Sequence, residues 1–251
     1  MATGPLLPPG PEAADGRAGP APVGRRVFLG MVGLGALGVV VGSTAQRLVG
    51  DALRPVTSVG GGGLSALVPG ADRFRIYTVT GGIPTVPDSQ YRLTVSGLVH
   101  QPITLTLDEL RALPSTSLVR DFQCVTGWRV PGVHWAGVRL STLLDAAGLA
   151  PGATALQFDC FDGAYTESLT LAQARRPDVL VAYEFEGKPL TAEHGGPVRL
   201  YVAPMYGYKS AKWLSGIRVT DQVIPGYWEQ EGYDVDAWVG HSNGRSDVPT
   251  S

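Results

Sequence analysis

The sequence predicts an α+β fold, with mixed β-sheets carrying short helices. Three observations point there. Short apolar runs, several alternating apolar with polar residues, recur between positions 91 and 219. A helical spacing of apolar residues shows in only two brief stretches. Gly 34 and Pro 20 exceed what a helical protein carries, and they gather in the first seventy residues and in the turns between the runs. A chain of 251 residues suffices for one generous domain or two small ones, and one is expected, beginning after about residue 64. No internal repeat marks a solenoid or propeller. Charged residues at 17% and a net charge of -2 leave no basic field, which excludes nucleic acid as a partner; local cations can still hold a small anion.

The N-terminal part divides in three. Residues 1–24 are Pro, Gly and Ala with little to pack and are expected to be a disordered tail. Residues 25–49 open on Arg25 and Arg26, continue through Val27, Phe28 and Leu29, and run uncharged to Ala45, which resembles a twin-arginine export signal. Ser43-Thr44-Ala45 suits a signal peptidase, and the segment equally suits an uncleaved membrane anchor. Either way the rest of the chain is expected at the extracytoplasmic face of the membrane or in a periplasm. Residues 50–70, with Gly60 to Gly63, read as a linker.

Along the body, YRLTVSGLV (Tyr91 to Val99) alternates as a strand. LTLDELRALP gives a short helix opening near Thr106, with Pro114 beyond its end. STSLVRDFQC is the next strand and ends at Cys124. VRLSTLLDAAGL spaces Leu140, Leu143, Leu144 and Ala147 as a helix closed by Gly148. Strands follow at 155–161, 165–169, 179–185, 197–202 and 213–219, with Glu186-Gly187 as a hairpin turn. The domain is expected over 71–235, with 236–251 as a C-terminal tail and the ligand site built from loops.

Two groups of residues carry the chemistry. Cys124 lies between an arginine and a tryptophan in RDFQCVTGW, with no nearby CxxC partner. A thiolate there suits a metal that changes oxidation state; a disulfide with Cys160, plain burial and a nucleophilic role are the alternatives. The second group is EHGGPVRLYVAPMYGYKSAKWLSGI, where His194, Arg199, Lys209 and Lys212 interleave with Gly195, Gly196 and Gly207. Glycines let a backbone approach a ligand and arginine and lysine supply charge, a combination suited to a phosphate; the bland alternative is a turn histidine and a solvated cationic face.

RDFQCVTGW, VLVAYEFEGKPLTAEHGGPVRLYVAPMYGYKSAKWLSGI and YWEQEGY, in that order, resemble the molybdopterin domain of the sulfite oxidase family, which includes the periplasmic methionine sulfoxide reductase catalytic subunit. The resemblance spans about Phe74 to Tyr233. It implies a sulfite-oxidase-type molybdopterin-binding fold and one molybdenum-molybdopterin (Mo-MPT) cofactor per chain. Cys124 stands where the family places its metal-binding thiolate. His194 and Arg199, with Gly207, Tyr208, Lys209 and Lys212, match residues that hold the pterin and its phosphate. Cys160 matches a position lining the cofactor pocket, where core packing is the alternative. Tyr77 is expected beside the pocket, and Tyr233 matches a tyrosine that reaches toward the metal. The family's F-x-x-R-N-H is replaced by Phe74-Arg75-Ile76-Tyr77-Thr78-Val79, which argues against sulfite as substrate.

The implied activity is oxygen-atom transfer with two-electron redox at molybdenum, on a small S- or N-oxide or a related small molecule. The chain has no CxxCH for attached haem, and an external, haem-containing electron-transfer protein is the expected partner. Two rival classes stay open: a metal-free thiol enzyme with Cys124 as nucleophile and His194 as base, and a non-catalytic binding module stapled by Cys124 and Cys160.

Overall fold

Local sequence chemistry sets the elements, which a computed structural model describes for residues 74–250. The expected tail 1–24, twin-arginine segment 25–49 and linker 50–70 lie outside the described residues. Among the described residues no helix is long and apolar enough to cross a membrane.

The first sheet has the order β2-β1-β10-β5-β6. In β1 (Arg92–Gly97), Leu93 and Val95 point into the core while their neighbours face out, as the alternation requires. β1 pairs antiparallel with β2 (Ile103–Thr106) and parallel with β10 (Leu214–Thr220). β10 runs antiparallel to β5 (Ala155–Cys160), and β5 to β6 (Thr166–Thr170). One parallel pair thus makes this sheet mixed. Helix α1 (Leu107–Ala112) starts where its capping chemistry dictates: Thr106 Oγ1 accepts from the Glu109 N–H at 3.2 Å and Glu109 Oε2 accepts from the Thr106 N–H at 2.8 Å. α2 (Leu140–Ala147) buries Leu140, Leu143, Leu144 and Ala147 on one stripe and stops at Gly148, whose φ of 65° suits glycine. A four-residue α3 (Leu171–Ala174), capped by Thr170 and Gln173, was not expected.

The second sheet is antiparallel throughout, in the order β3-β4-β7-β8, with β9 also paired to β7. Its strands are β3 (Ser115–Gln123), β4 (Arg129–Arg139), β7 (Val179–Phe185), β8 (Lys188–Pro189) and β9 (Arg199–Val202). β4, at 11 residues, is the longest described strand, yet the sequence conceals it. No strand was expected there, and Pro131 and Gly132 occupy an irregularity between β3 and β4 where the register shifts near Asp121. The Asp121 carboxylate accepts from the Gly132 N–H at 3.0 Å and from Arg129 Nη1 at 3.1 Å, so the bulge is held by side chains. Glu186 and Gly187 form the expected hairpin turn, both at positive φ.

β7 explains its own unbroken apolar sequence. Val179, Val181 and Tyr183 face the larger core with Leu200 and Val202 of β9, while Leu180 and Ala182 face a second core with Phe122, Trp135 and Tyr201. The strand is therefore covered on both faces, and each large side chain so buried contributes roughly 1.5–3 kcal/mol.

Residues 236–250 correct the expectation of a tail. Ala237 and Val239 are buried, Trp238 bridges to Met205, and the Tyr206 N–H donates to the Ala237 carbonyl at 2.8 Å. Thr250 Oγ1 donates to the Ala203 carbonyl at 2.9 Å. A stretch of Gly, Ser, Asn and Asp resembles a tail because its partners are backbone atoms far away in sequence.

Gly137 lies at the register shift between β4 and β7, where an added Cβ would sit 2.2 Å from the Val181 carbonyl oxygen. Gly137→Ala is expected to destabilise by about 3 kcal/mol, lowering the thermal midpoint by roughly 6–12 °C as read by calorimetry.

Candidate active site

Cys124 sits in the tight turn that joins β3 to β4. Its N–H donates to the Trp128 carbonyl at 2.9 Å, its carbonyl accepts from the Gly127 N–H at 3.0 Å, and its Sγ lies 3.2 Å from Thr126 Oγ1. Burial pushes the thiol up, while the Thr126 contacts and then the charges of Arg245 and Arg75 pull it down. Tyr233 stands close enough for Cys124 to influence it, although burial is the larger cause of its raised pKa. The Tyr233 ring meets the edges of Tyr208 and Trp228 at 5.5 Å each, so it is fixed within an aromatic group and is no loose end. Arg245 was missed in the sequence because it lies in the supposed tail.

A second group gathers His194, Arg199 and Lys212. Arg199 comes from β9 and is 3% exposed, yet its guanidinium has no carboxylate partner among the described residues. Nη1 donates to the His194 carbonyl and Nη2 to the Ser210 carbonyl, both at 2.7 Å, and the group lies over the rings of Trp135 and Phe122 at 5.1 and 5.8 Å. Burial pulls its pKa down to about 10. Lys212 is pulled down to about 7, first by burial and then by Arg199; its Nζ donates to the Tyr77 carbonyl at 2.5 Å. His194 is likewise lowered by burial, then by Arg199, with Lys212 adding to the effect. Burial lowers all three, Arg199 depresses both of its neighbours and Lys212 depresses His194, so an anion placed among them would relieve all three.

Aromatic rings connect the two groups. Phe122 stacks on Trp128 at 5.6 Å, and Phe74 lies 5.0 Å from Phe122 and 5.4 Å from the His194 ring. The indole N–H groups of Trp128 and Trp135 are buried without acceptors among the described residues. A groove of about 410 Å³ runs beside this wall, lined by Phe74, Ile76, Val133, Phe185 and His194 among others. Cys124, Arg199 and Lys212 do not line it, so the unpaired charge locates the site better than the void does.

Other expected residues are placed differently. Lys209, expected to face a phosphate, is fully buried, with Nζ 2.7 Å from Glu167 Oε1 and 2.8 Å from the Ser168 carbonyl and a further contact to Glu229. Its charge is taken up by two carboxylates inside the protein. Gly207 is needed by packing, since a Cβ there would lie 2.3 Å from the Phe122 ring. Tyr208 donates its hydroxyl to the Asp234 carbonyl at 2.5 Å. Tyr77 is 40% exposed and reaches the site through its carbonyl rather than its ring. Cys160 is packed in the larger core, and burial followed by Asp162 and Asp159 pushes its thiol up.

The rival readings lose their geometry. Both cysteines are free thiols, so no staple joins them. The Cys124 Sγ meets Thr126 Oγ1, and no hydrogen bond joins it to His194 among the described residues, so the two are not placed as a nucleophile–base pair.

Residues 80–228 match the oxidoreductase molybdopterin binding domain family. The chain belongs to this family. It is 37% identical over 162 residues to the uncharacterized oxidoreductase YuiH of Bacillus subtilis, covering 63% of this chain and 81% of that one. It is 36% identical over 169 residues to YedZ1 of Azospira oryzae, whose name assigns it provisionally to protein-methionine-sulfoxide reduction, covering 67% and 63%. It is 31% identical over 188 residues to sulfite oxidase of Arabidopsis thaliana, covering 61% of this chain but 48% of that longer one. The sulfane dehydrogenase SoxCD structure from Paracoccus pantotrophus shares the fold, with a TM-score of 0.53 at 24% identity, covering 62% of this chain and 47% of that one. The protein is thus a molybdopterin-binding oxidoreductase of the sulfite oxidase family, and the expected mixed-sheet fold holds.

The family implies a molybdenum-molybdopterin cofactor, and the residues present fit one. The buried Arg199 lacks an anionic partner among the described residues, Lys212 beside it is pulled down to about 7 by burial and by Arg199, and the Cys124 thiol offers a soft ligand across the aromatic wall. Among the described residues no cluster of His, Cys, Asp and Glu could hold a metal ion by itself.

Replacing Lys209 with Met would leave Glu167 and Glu229 buried without a cation and is expected to cost about 3–5 kcal/mol in urea unfolding. Burial, outweighing the Lys209 charge, holds the Glu167 pKa well above its ordinary 4.5. An acid raised in the fold lends stability that is full below about pH 4.5 and is lost as pH rises through its folded value. Unfolding midpoints measured across that interval should fall with rising pH, and Glu167→Gln should remove this part of the slope.

Proposed function

We propose that this protein is an extracytoplasmic molybdenum-pterin oxidoreductase that transfers an oxygen atom to or from a small S- or N-oxide, or a related small molecule, with one cofactor per chain. The observation that carries the reading is the buried, carboxylate-free Arg199 with Lys212 beside it, one aromatic layer from the Cys124 thiol.

The bound group supplies two-electron redox and exchange of an oxygen atom at its metal. Cys124 contributes the protein's sulfur ligand, and the N–H from Gly127 and the hydroxyl of Thr126 fix the turn that aims it. Arg199 and Lys212 neutralise the pterin phosphate; a negative charge between them raises the Lys212 pKa from about 7, so binding draws a proton onto Nζ. His194, held by Thr191 and stacked on Phe185 at 4.5 Å, presents a neutral ring toward the pterin. The Trp128 and Trp135 indoles offer donors that lack acceptors. Tyr233 keeps its proton near Cys124 and offers its hydroxyl to an oxygen of the substrate. Electrons pass to or from an external, haem-containing protein. The twin-arginine-like segment 25–49 supports export to the extracytoplasmic face, with the membrane as a further contact if the segment is retained.

The test is to purify the full chain from a host that makes the cofactor, then measure molybdenum and the fluorescence of the released oxidised pterin. Molybdenum near one per chain is expected, and its absence from a folded, pterin-competent preparation would refute the proposal. Cys124→Ser should keep the fold and the pterin while turnover falls by about a hundredfold or more; activity at the parent level would contradict the assigned ligand.

A further inference from the structure

Two pairs of adjacent residues divide their side chains in the same way. In Tyr208-Lys209 the ring of Tyr208 meets the ring of Tyr233 at 5.5 Å, while the Lys209 ammonium turns inward to Glu229. In Trp228-Glu229 the indole also meets the Tyr233 ring at 5.5 Å, while the Glu229 carboxylate turns inward to Lys209. Each pair sends its ring to Tyr233 and its charge to the other pair. One buried ion pair therefore joins the two rings that touch Tyr233.

The join is stiff on both sides. Lys209 closes a short 3₁₀ turn (Gly207–Lys209), Glu229 lies in the four-residue helix α4 (Tyr227–Gln230), and both side chains are wholly out of water. Glu229 has both oxygens in use: Oε1 takes Lys209 Nζ and Oε2 takes the Gly226 N–H, so one carboxylate fixes the lysine and the start of α4 together. Tyr165 ties the same two stretches again, donating its hydroxyl to the Tyr208 carbonyl at 2.5 Å and stacking on Tyr227 at 5.9 Å. At the far end of Tyr208 the hydroxyl donates to the Asp234 carbonyl and accepts from Asn243 Nδ2 at 3.1 Å. The Tyr233 N–H donates to the Trp228 carbonyl at 3.1 Å, which sets the backbone that carries its ring. Tyr233 in turn is near enough to Cys124 for a thiolate there to disfavour its phenolate.

Stability alone is a poor reason for such a pair, because well-packed apolar residues of the same size usually hold a core at least as well as buried ions do. An ion pair adds fixed direction and distance. The buried triad also contains its own control. Glu167 meets Lys209 at 2.7 Å as closely as any partner does, but it lies in β6 between Thr166 and Ser168, and neither neighbour carries a ring.

We propose that Lys209 and Glu229 are positioning residues: their ion pair, acting through Tyr208 and Trp228, holds the Tyr233 hydroxyl in place beside Cys124. The inference deepens the role given to Tyr233 above and rests on it. A lysine that touches no ligand thereby acts on the reacting centre.

The test places 3-fluorotyrosine at position 233 alone in the full chain and reads its fluorine resonance. In Glu229→Gln the amide offers one acceptor where two are needed; the double variant Lys209→Met/Glu229→Gln removes both charges, so neither is left buried without its partner. Both should move the resonance toward that of the free amino acid. Glu167→Gln, which keeps the Lys209–Glu229 pair, should leave it in place. Equal shifts in Glu167→Gln and Glu229→Gln, or an unmoved resonance in the double variant, would overturn the proposal, since a role confined to stability treats the triad as one unit. In the molybdenum-loaded enzyme, assayed with dimethyl sulfoxide and reduced benzyl viologen, the double variant should lose about tenfold or more in kcat with KM within about twofold. Adding Tyr233→Phe to it should cost little further, whereas losses that simply multiply would mean that the pair does not act through Tyr233. The two readings fail separately: parent-level turnover in Tyr233→Phe refutes the role of that tyrosine, and an unmoved fluorine resonance in Glu229→Gln refutes the clamp.

Discussion

A buried guanidinium without a counter-ion among the described residues is the constraint around which the domain is arranged. Arg199 is taken out of water by β9 and β7, lies on the faces of Trp135 and Phe122, and among the described residues finds only carbonyl oxygens, those of His194, Leu200 and Ser210, as acceptors. Carbonyl dipoles and ring faces soften the loss of hydration but do not cancel a full charge. The residual field spreads to Lys212 and His194 and disfavours their protonated forms. A protein keeps such an imbalance where an anion restores it, and the family's phosphate-bearing pterin is such an anion.

The same arginine ties distant parts of the chain together. Two of its carbonyl partners, His194 and Ser210, belong to the glycine-bearing loops on either side of β9, and one ring beneath it, Phe122, is two residues from Cys124. Gly207 has room for only a hydrogen because that ring occupies the space a side chain would need. Anion site and thiol site are consequently not independent modules. They share Phe122 as a common wall.

The sequence made much of this legible wherever the signal is local. Thr106 with Glu109, Gly148 after Ala147, and Glu186-Gly187 each state their structural role within four residues, and each element stands where they place it. Signals that depend on distant partners were not legible. Lys209 and Lys212 look alike in KSAKW, yet Lys209 is claimed by Glu167 and Glu229, 42 and 20 positions away, while Lys212 stays with the unpaired cations. β4 was hidden because Pro131 and Gly132 signal a turn when nothing in sequence shows that the Asp121 carboxylate holds them in a bulge. Arg245 was hidden for the same reason, since only the folded C-terminal segment carries it to Gly127.

The two-sided burial of β7 carries a practical consequence. VLVAYEF is an uncharged β-forming run up to Glu184, and in the native protein β4 on one flank and β8 and β9 on the other satisfy its backbone. Were β9 to detach, the freed edge would offer unpaired N–H and C=O groups beside bulky apolar side chains, a template for a neighbouring chain. Variants that loosen the glycine loops around β9 should therefore disappear into insoluble material rather than persist as soluble, inactive protein. A low yield from such a variant then reports on self-association and says nothing of catalysis.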